Sequence, residues 1–257
     1  MKHGIRNWKF AVLAAGTCAM ALVGSANLAK AESFTPEQKQ ELQEIFKEFL
    51  YENPEIILEA VDRFRANQEK KSRQSAQENL EQYKEYFAQS DLPMAGNPDG
   101  DVTIVEFFDY NCGYCRKAFA DLVKLIEEDS NVRVVFQEMP ILSPASRKMA
   151  MISLAAHQQG KYFEMHKALM DYKGNQGDEA FYKVAEGLGL DVEKLKADVE
   201  SPAMAANIKK FLERGQSLGI RGTPGFVVGD KVFPGYIGLK GLRDAVATAR
   251  KAAEKAE

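Results

Sequence analysis

Cysteine is scarce in this chain. Of 257 residues only three are cysteine, at positions 18, 112 and 115. Cys18 falls in an N-terminal stretch that reads as a removable export signal, so the remainder keeps one pair in a single motif. No pair is left over for a structural disulfide. No second Cys/His cluster accompanies the motif, which argues against a structural zinc with four protein ligands. Basic charge is not in excess, with 34 Lys/Arg against 37 Asp/Glu, so the footprint of a nucleic-acid binder is missing. The apolar run from Phe10 to Val23 is too short to span a bilayer. Glycine is absent from residues 32–90, and the chain shows no internal repeat or low-complexity tract.

What is present begins with a targeting signal. Lys2, Arg6 and Lys9 give a basic start, the apolar run follows, and Ala29-Lys30-Ala31 forms a small-x-small site before Glu32. Residues 1–31 therefore read as a signal peptide cleaved on export. Its loss removes four Lys/Arg and no acid, leaving 30 Lys/Arg against 37 Asp/Glu and a net charge of −7. The roughly 226 residues that remain suit one sizeable domain with an appendage.

Residues 32–95 read as that appendage and its linker. Thr35-Pro36-Glu37-Gln38 combines an N-cap, a proline at the first helical position and a capping-box glutamine. Leu42, Ile45, Phe46, Phe49 and Leu50 then recur at helical spacing. Asn53-Pro54 ends that helix and starts another carrying Ile56, Ile57, Leu58, Val61 and Phe64. From Arg65 to Glu81 the pattern is almost wholly polar, which predicts either a solvent-bridging connector or an unstable helix. If helical, that stretch reaches roughly 25 Å at 1.5 Å per residue. Two short helices have little core of their own, so the stripe Leu42, Ile45, Phe46, Phe49 and Leu50 is expected to be covered by another surface, that of a second copy or of the catalytic domain. The break Gly96-Asn97-Pro98-Asp99-Gly100 sets the predicted boundary with a second domain, residues 96–257.

That domain opens with an apolar strand pattern at Val102–Phe108, a helix pattern after Cys112 and a second strand at Val132–Phe136. The helix acts as a crossover, so the two strands are expected to be parallel. Residues 144–218 are helical in pattern, with starts at Ser143-Pro144, Asp191 and Ser201-Pro202. Gly225–Val228 and Lys231–Phe233 flank a Gly229-Asp230 turn and predict a hairpin, and a last helix follows from about Leu239 to Ala253. The order implies an α/β fold: a mixed sheet with a helical insertion at about 140–219.

Cys112-Gly113-Tyr114-Cys115 lies where the first strand feeds a helix N-terminus. Free backbone N–H groups and the helix dipole stabilise a thiolate there, and two cysteines so spaced cycle between dithiol and disulfide. Cys112, nearest the helix start, is the expected nucleophile; Cys115, one turn in, is the resolving thiol. Read by itself, Glu106 is either a solvent-facing strand residue or a buried acid. His157 and His166 read as packed or surface residues of the insertion. Met149, Met151, Met165 and Met170 read as core filler and not as copper ligands.

Residues 100–254 resemble the DsbA-type thioredoxin-fold thiol–disulfide oxidoreductases. The likeness rests on Val105–Cys115, the helical insertion and Gly222-Thr223-Pro224-Gly225-Phe226. With the helical segment ahead of it, the chain is similar to the periplasmic ScsC-like disulfide isomerases, and its cysteine tetrad is similar to that of the DsbC isomerase. The resemblance implies that Glu106 is a buried acid relaying protons for Cys115. It implies that Thr223-Pro224 is a cis-proline loop which, with Gly113 and Tyr114, holds an extended client strand. It implies a homo-oligomer, a trimer, built on residues 32–64. Tyr114 stands where the typical DsbA tetrad has histidine, which implies a weaker oxidant. The expected function is therefore an exported, periplasmic protein disulfide isomerase without cofactor or metal. It acts on cysteine-containing client proteins and is kept reduced by a membrane redox partner. A DsbA-like dithiol oxidase is the alternative enzyme, and a copper-sequestering protein using the two thiolates is the alternative from another class.

Overall fold

A computed structural model describes residues 34–174 and 177–255. The signal peptide read at 1–31, with Cys18, lies outside the described residues. The chain divides into two compact units, Met1–Ala60 and Val61–Glu257. No helix among the described residues is long and apolar enough to cross a membrane.

The first unit contains helix α1 (Pro36–Glu52) and the start of α2 (Glu55–Phe87). Thr35 closes the capping box: its hydroxyl accepts from the Gln38 N–H at 3.3 Å, and the Gln38 side chain accepts from the Thr35 N–H at 3.0 Å. At the other end Asn53 donates both its backbone N–H and its side-chain amide to the Phe49 carbonyl, at 3.0 and 2.9 Å. Pro54 lacks an N–H to continue the ladder, so the chain turns and restarts. No residue of α1 is buried. Leu42, Phe46, Leu50 and Ile57 line a shallow apolar depression.

The second unit is built on a five-stranded sheet in the order β1-β3-β2-β4-β5. Its strands are β1 (Met94–Gly96), β2 (Val102–Phe108), β3 (Val132–Glu138), β4 (Gly225–Val228) and β5 (Lys231–Phe233). The central pair β2/β3 is parallel, joined by α3 (Gly113–Glu128). Strand β4 runs antiparallel to β2, and β5 antiparallel to β4. Between β3 and β4 come five helices: α4 (Pro144–His157), α5 (Tyr162–Asp171), α6 (Asp178–Gly187), α7 (Val192–Val199) and α8 (Pro202–Ser217). Helix α9 (Gly238–Ala253) closes the chain. Alternation along β2 sorts its side chains between two cores. Val102, Ile104 and Phe108 face α3, α9 and the insertion; Val105 and Phe107 face the other way.

Two features depart from the sequence reading. Strand β1 was not expected. Its three residues pair antiparallel with β3 at the sheet edge, too short a run to show a period of its own. Gly96 ends it at φ +79, and a Cβ there would lie 2.5 Å from the Val132 carbonyl oxygen, so only glycine fits.

The second departure is larger. The polar connector expected at 65–81 is not one along its whole length, and its residues group with the second compact unit, Val61–Glu257. Ala76, Leu80 and Phe87 on α2 are buried, and Leu80 and Phe87 share a core with Val105, Phe107, Leu218 and Ile220. The Asn79 side chain donates to the Ser217 carbonyl at 2.8 Å, and Lys84 pairs with Asp230 at 2.7 Å. The Arg214 guanidinium lies 3.6 Å from the centre of the Tyr86 ring. The stripe escapes notice because it is one side chain wide among charges, yet it joins the core on the Val105 and Phe107 side of β2. Leu80→Ala is expected to cost about 2–5 kcal/mol, the usual loss for a buried leucine. Urea unfolding measures this; a loss below about 0.5 kcal/mol, typical of a surface position, would return residues 76–81 to the role of connector.

Candidate active site

The site forms where β2 ends. Asp109, buried, accepts the Asn111 N–H at 2.8 Å through Oδ1, and the Ile141 and Leu142 N–H groups at 2.8 and 2.9 Å through Oδ2. The Asn111 amide reaches Ser143 Oγ at 2.7 Å. These bonds tie the turn ahead of Cys112 to the loop after β3. The Cys112 N–H then donates to the Asp109 carbonyl at 3.0 Å and completes the turn.

Cys112 is the N-cap of α3, with φ −82 and ψ 115. Its Sγ accepts from the Cys115 N–H at 3.3 Å, using one of the free donors of the helix start. The same sulfur donates to the Thr223 carbonyl at 3.2 Å, across 111 positions of sequence. The Thr223–Pro224 peptide is cis, and Pro224 is buried. Cys112 is 8% exposed and Cys115 wholly buried. Gly113 and Tyr114, between them, face solvent, and nothing lies within 4 Å of where a Gly113 side chain would start. The Tyr114 ring packs on Tyr236 at 5.7 Å between centres, with Lys117 Nζ 5.1 Å from its own centre.

Glu106 lies in mid-strand, opposite Phe136 on one side and Phe226 on the other. It is fully buried, and neither carboxylate oxygen has a partner. Burial holds its proton affinity well above the ordinary carboxyl range, and the nearby Cys112 charge adds to this. Burial also pushes the Cys115 thiol well up, with Glu106 as the second cause. The structure thus sets the Cys112 sulfur against both the Cys115 N–H and the Thr223 carbonyl, with the buried Glu106 coupled electrostatically to the two cysteines. Leu42, Ile45, Phe46, Phe49 and Leu50 belong to the other unit. His157 bonds the Asp91 carbonyl at 2.7 Å, and His166 is buried, its ring 4.4 Å from that of Phe136.

Sequence reasoning missed the polar cluster beneath the turn. Glu138 Oε1 accepts from the Tyr162 hydroxyl at 2.9 Å and the Tyr110 hydroxyl at 3.2 Å. Tyr110 also meets Ser153 Oγ at 2.7 Å and His166 Nδ1 at 3.0 Å. Burial raises Glu138 and lowers His166 to about 3, so the histidine is neutral at ordinary pH. No sequence signal marks this cluster, because its members come from four separate elements. The Asp109-x-Asn111 spacing was a readable turn signal.

A buried acid without partners weakens a fold. With the folded-state proton affinity raised, the folded chain holds a proton that the unfolded chain releases once pH passes the ordinary carboxyl value. Stability relative to a neutral residue therefore falls as pH rises. Glu106→Leu is expected to stabilise the reduced protein by about 1–3 kcal/mol at pH 5, from removal of the unpaired polar group, and by more at pH 8. Urea midpoints at both pH values check it; a gap that narrows with pH would contradict the burial argument.

Comparison with known proteins agrees with this geometry. Residues 103–247 match the model of the DSBA-like thioredoxin domain, and residues 38–71 that of the Copper resistance protein ScsC N-terminal domain. A crystal structure of a thioredoxin-like oxidoreductase from Silicibacter pomeroyi is 47% identical, covering 64% of this chain and 95% of that one with a TM-score of 0.61. Disulfide bond formation protein D of Bacillus subtilis is 25% identical over 169 residues, 60% of this chain and 75% of its own. The Na(+)/H(+) antiporter NhaA 1 of Salinispora arenicola is 28% identical over 170 residues, 62% of this chain and 26% of its own. The chain thus spans about a quarter of the length of the antiporters it matches.

Proposed function

Because the chain belongs to the DSBA-like thioredoxin domain family, we propose that it is an exported thiol–disulfide oxidoreductase working on the cysteines of other proteins, and that its main activity is disulfide isomerisation. The observation that carries the exchange chemistry is the setting of Cys112. Its sulfur caps a helix, receives the Cys115 N–H at 3.3 Å and touches the Thr223 carbonyl at 3.2 Å.

The reaction follows from this placement. The Cys112 thiolate attacks one sulfur of a client disulfide. A Cys112–client bond forms, the client S–S bond breaks, and a client thiolate leaves. An extended client strand is held by the Thr223 backbone beside Pro224, with Gly113 and Tyr114 at the open face. In isomerisation the freed client thiolate attacks another client disulfide, and the last thiolate released displaces Cys112, with no net redox change. When the mixed disulfide stalls, Cys115 attacks the Cys112 sulfur. Its proton passes to Glu106 in the carboxylate form, whose raised affinity suits acceptance from a thiol that burial also holds protonated. The client leaves as a thiolate, and Cys112–Cys115 becomes a disulfide. A reducing membrane partner then has to return two electrons.

Isomerisation is favoured over dithiol oxidation by the first unit. Its apolar residues Ile45, Phe46 and Phe49 are exposed at 56%, 63% and 47%, which suits copies joined around a shared client. Residues 1–31 support export to the periplasm. A copper-sequestering role for the two thiolates gains no further cysteine or histidine from residues 38–71, the segment that matches the copper resistance family. The test is the redox state of Cys112 and Cys115 in intact cells, trapped by acid and alkylation, together with refolding of scrambled ribonuclease in vitro. Reduced cysteines with active refolding support the isomerase. Oxidised cysteines with dithiol oxidation alone point to the oxidase.

A further inference from the structure

We infer that Tyr236 sets client specificity: with Tyr114 it forms a two-ring shelf for an aromatic or large aliphatic side chain two positions from the client cysteine. The inference rests on Cys112 being the nucleophile. It starts from where apolar surface is left open. Beyond residue 64, the large apolar side chains exposed among the described residues are Tyr114, Ile141, Leu142 and Tyr236. All four attach to the catalytic turn. Tyr114 is within it, the Ile141 and Leu142 N–H groups bind Asp109, and Tyr236 packs on Tyr114.

Tyr236 is held in place. It lies in the loop between β5 and α9, and its hydroxyl donates to Asp121 Oδ2 on α3 at 2.6 Å. The two rings meet at 40°, with centres 5.7 Å apart, while both side chains keep 58% and 39% exposure. An exposed aromatic pair braced from behind offers ring area at little cost in side-chain entropy. Charge does not direct the choice, because Lys117 lies against Tyr114 and Asp121 is engaged by Tyr236. An apolar guest is what the surface accepts. The position follows from strand geometry. A client strand that points its cysteine at Cys112 turns its immediate neighbours away and presents residues two places off on the same face.

Peptides carrying one cysteine blocked as a mixed disulfide with glutathione give the test. One has phenylalanine two places from the cysteine on each side, one has serine there, and a third has phenylalanine only at the immediate neighbours. The rate at which each oxidises the reduced protein is read by mass spectrometry. The wild type is expected to prefer the first peptide about 3–10-fold over the other two, the factor one aromatic contact provides. Tyr236→Ala is expected to bring the ratio to about 1, and Tyr236→Phe, which keeps the ring, to retain it. An undiminished preference in Tyr236→Ala, a preference lost equally in both variants, or none in the wild type overturns the inference. Failure of the wild type to react even with glutathione disulfide would instead reject the exchange chemistry beneath it.

Discussion

Cys112→Ser is expected to lower the rate of disulfide exchange by on the order of 10³-fold or more, whereas Cys115→Ser is expected to accumulate covalent complexes with clients. The asymmetry comes from the positions of the two sulfurs. Cys112 reaches solvent at the helix cap; Cys115 is wholly buried behind it, with its thiol held protonated by burial and by the Glu106 charge. A serine at 112 keeps the cap but supplies no thiolate, so the covalent path is lost. A serine at 115 leaves the attack intact and removes only the escape from a stalled mixed disulfide. Non-reducing gels of cell extracts and refolding of scrambled ribonuclease read the two effects separately. Full activity in Cys112→Ser, or mixed disulfides forming equally in both variants, would reject the assignment of roles. Alkylation gives the same order: Cys112 is expected to react first in the reduced native protein, and Cys115 only on unfolding.

The legible parts of this molecule are those in which local sequence and long-range packing agree. Strand β2, the cysteine turn, the β4/β5 hairpin and the caps Ser143, Asp191 and Ser201 all have local signals that the tertiary structure leaves in place. Glu106 was ambiguous because one acid in an apolar strand reads equally as an outward residue; its burial depends on partners distant in sequence, among them Phe226 on β4. The docking of Leu80 and Phe87 was hidden for the opposite reason. Their stripe is local but narrow, and its worth depends on the sheet face it covers. The Glu138 cluster depends on four elements at once, so no window of sequence contains it.

That hidden docking decides how the second large effect has to be measured. The wild type is expected to be an oligomer at micromolar concentration, and Phe46→Glu with Phe49→Glu to be a monomer that still exchanges thiols but isomerises about tenfold more slowly. Ile45, Phe46, Phe49, Ile57 and Leu58 are exposed in the first unit, with Leu42 and Leu50 half-buried beside them. Each large side chain covered contributes roughly 1.5–3 kcal/mol, so five per subunit outweigh an association cost of about 4–15 kcal/mol only when most are covered together. Two carboxylates in that surface reverse the balance, since burying each unpaired charge costs several kcal/mol. Deleting residues through 90 would test the wrong thing, because it strips Leu80 and Phe87 from the core of the catalytic unit. Point substitutions leave that core whole, so loss of association and loss of folding stay separable. Isomerisation suffers and single exchange does not, because a client with several wrong disulfides has to stay engaged through successive attacks. Light scattering gives the mass, and scrambled ribonuclease against a single-disulfide peptide gives the two activities. A monomeric wild type, or a monomeric variant that isomerises at the wild-type rate, would leave the apolar stripe with some task other than joining catalytic units.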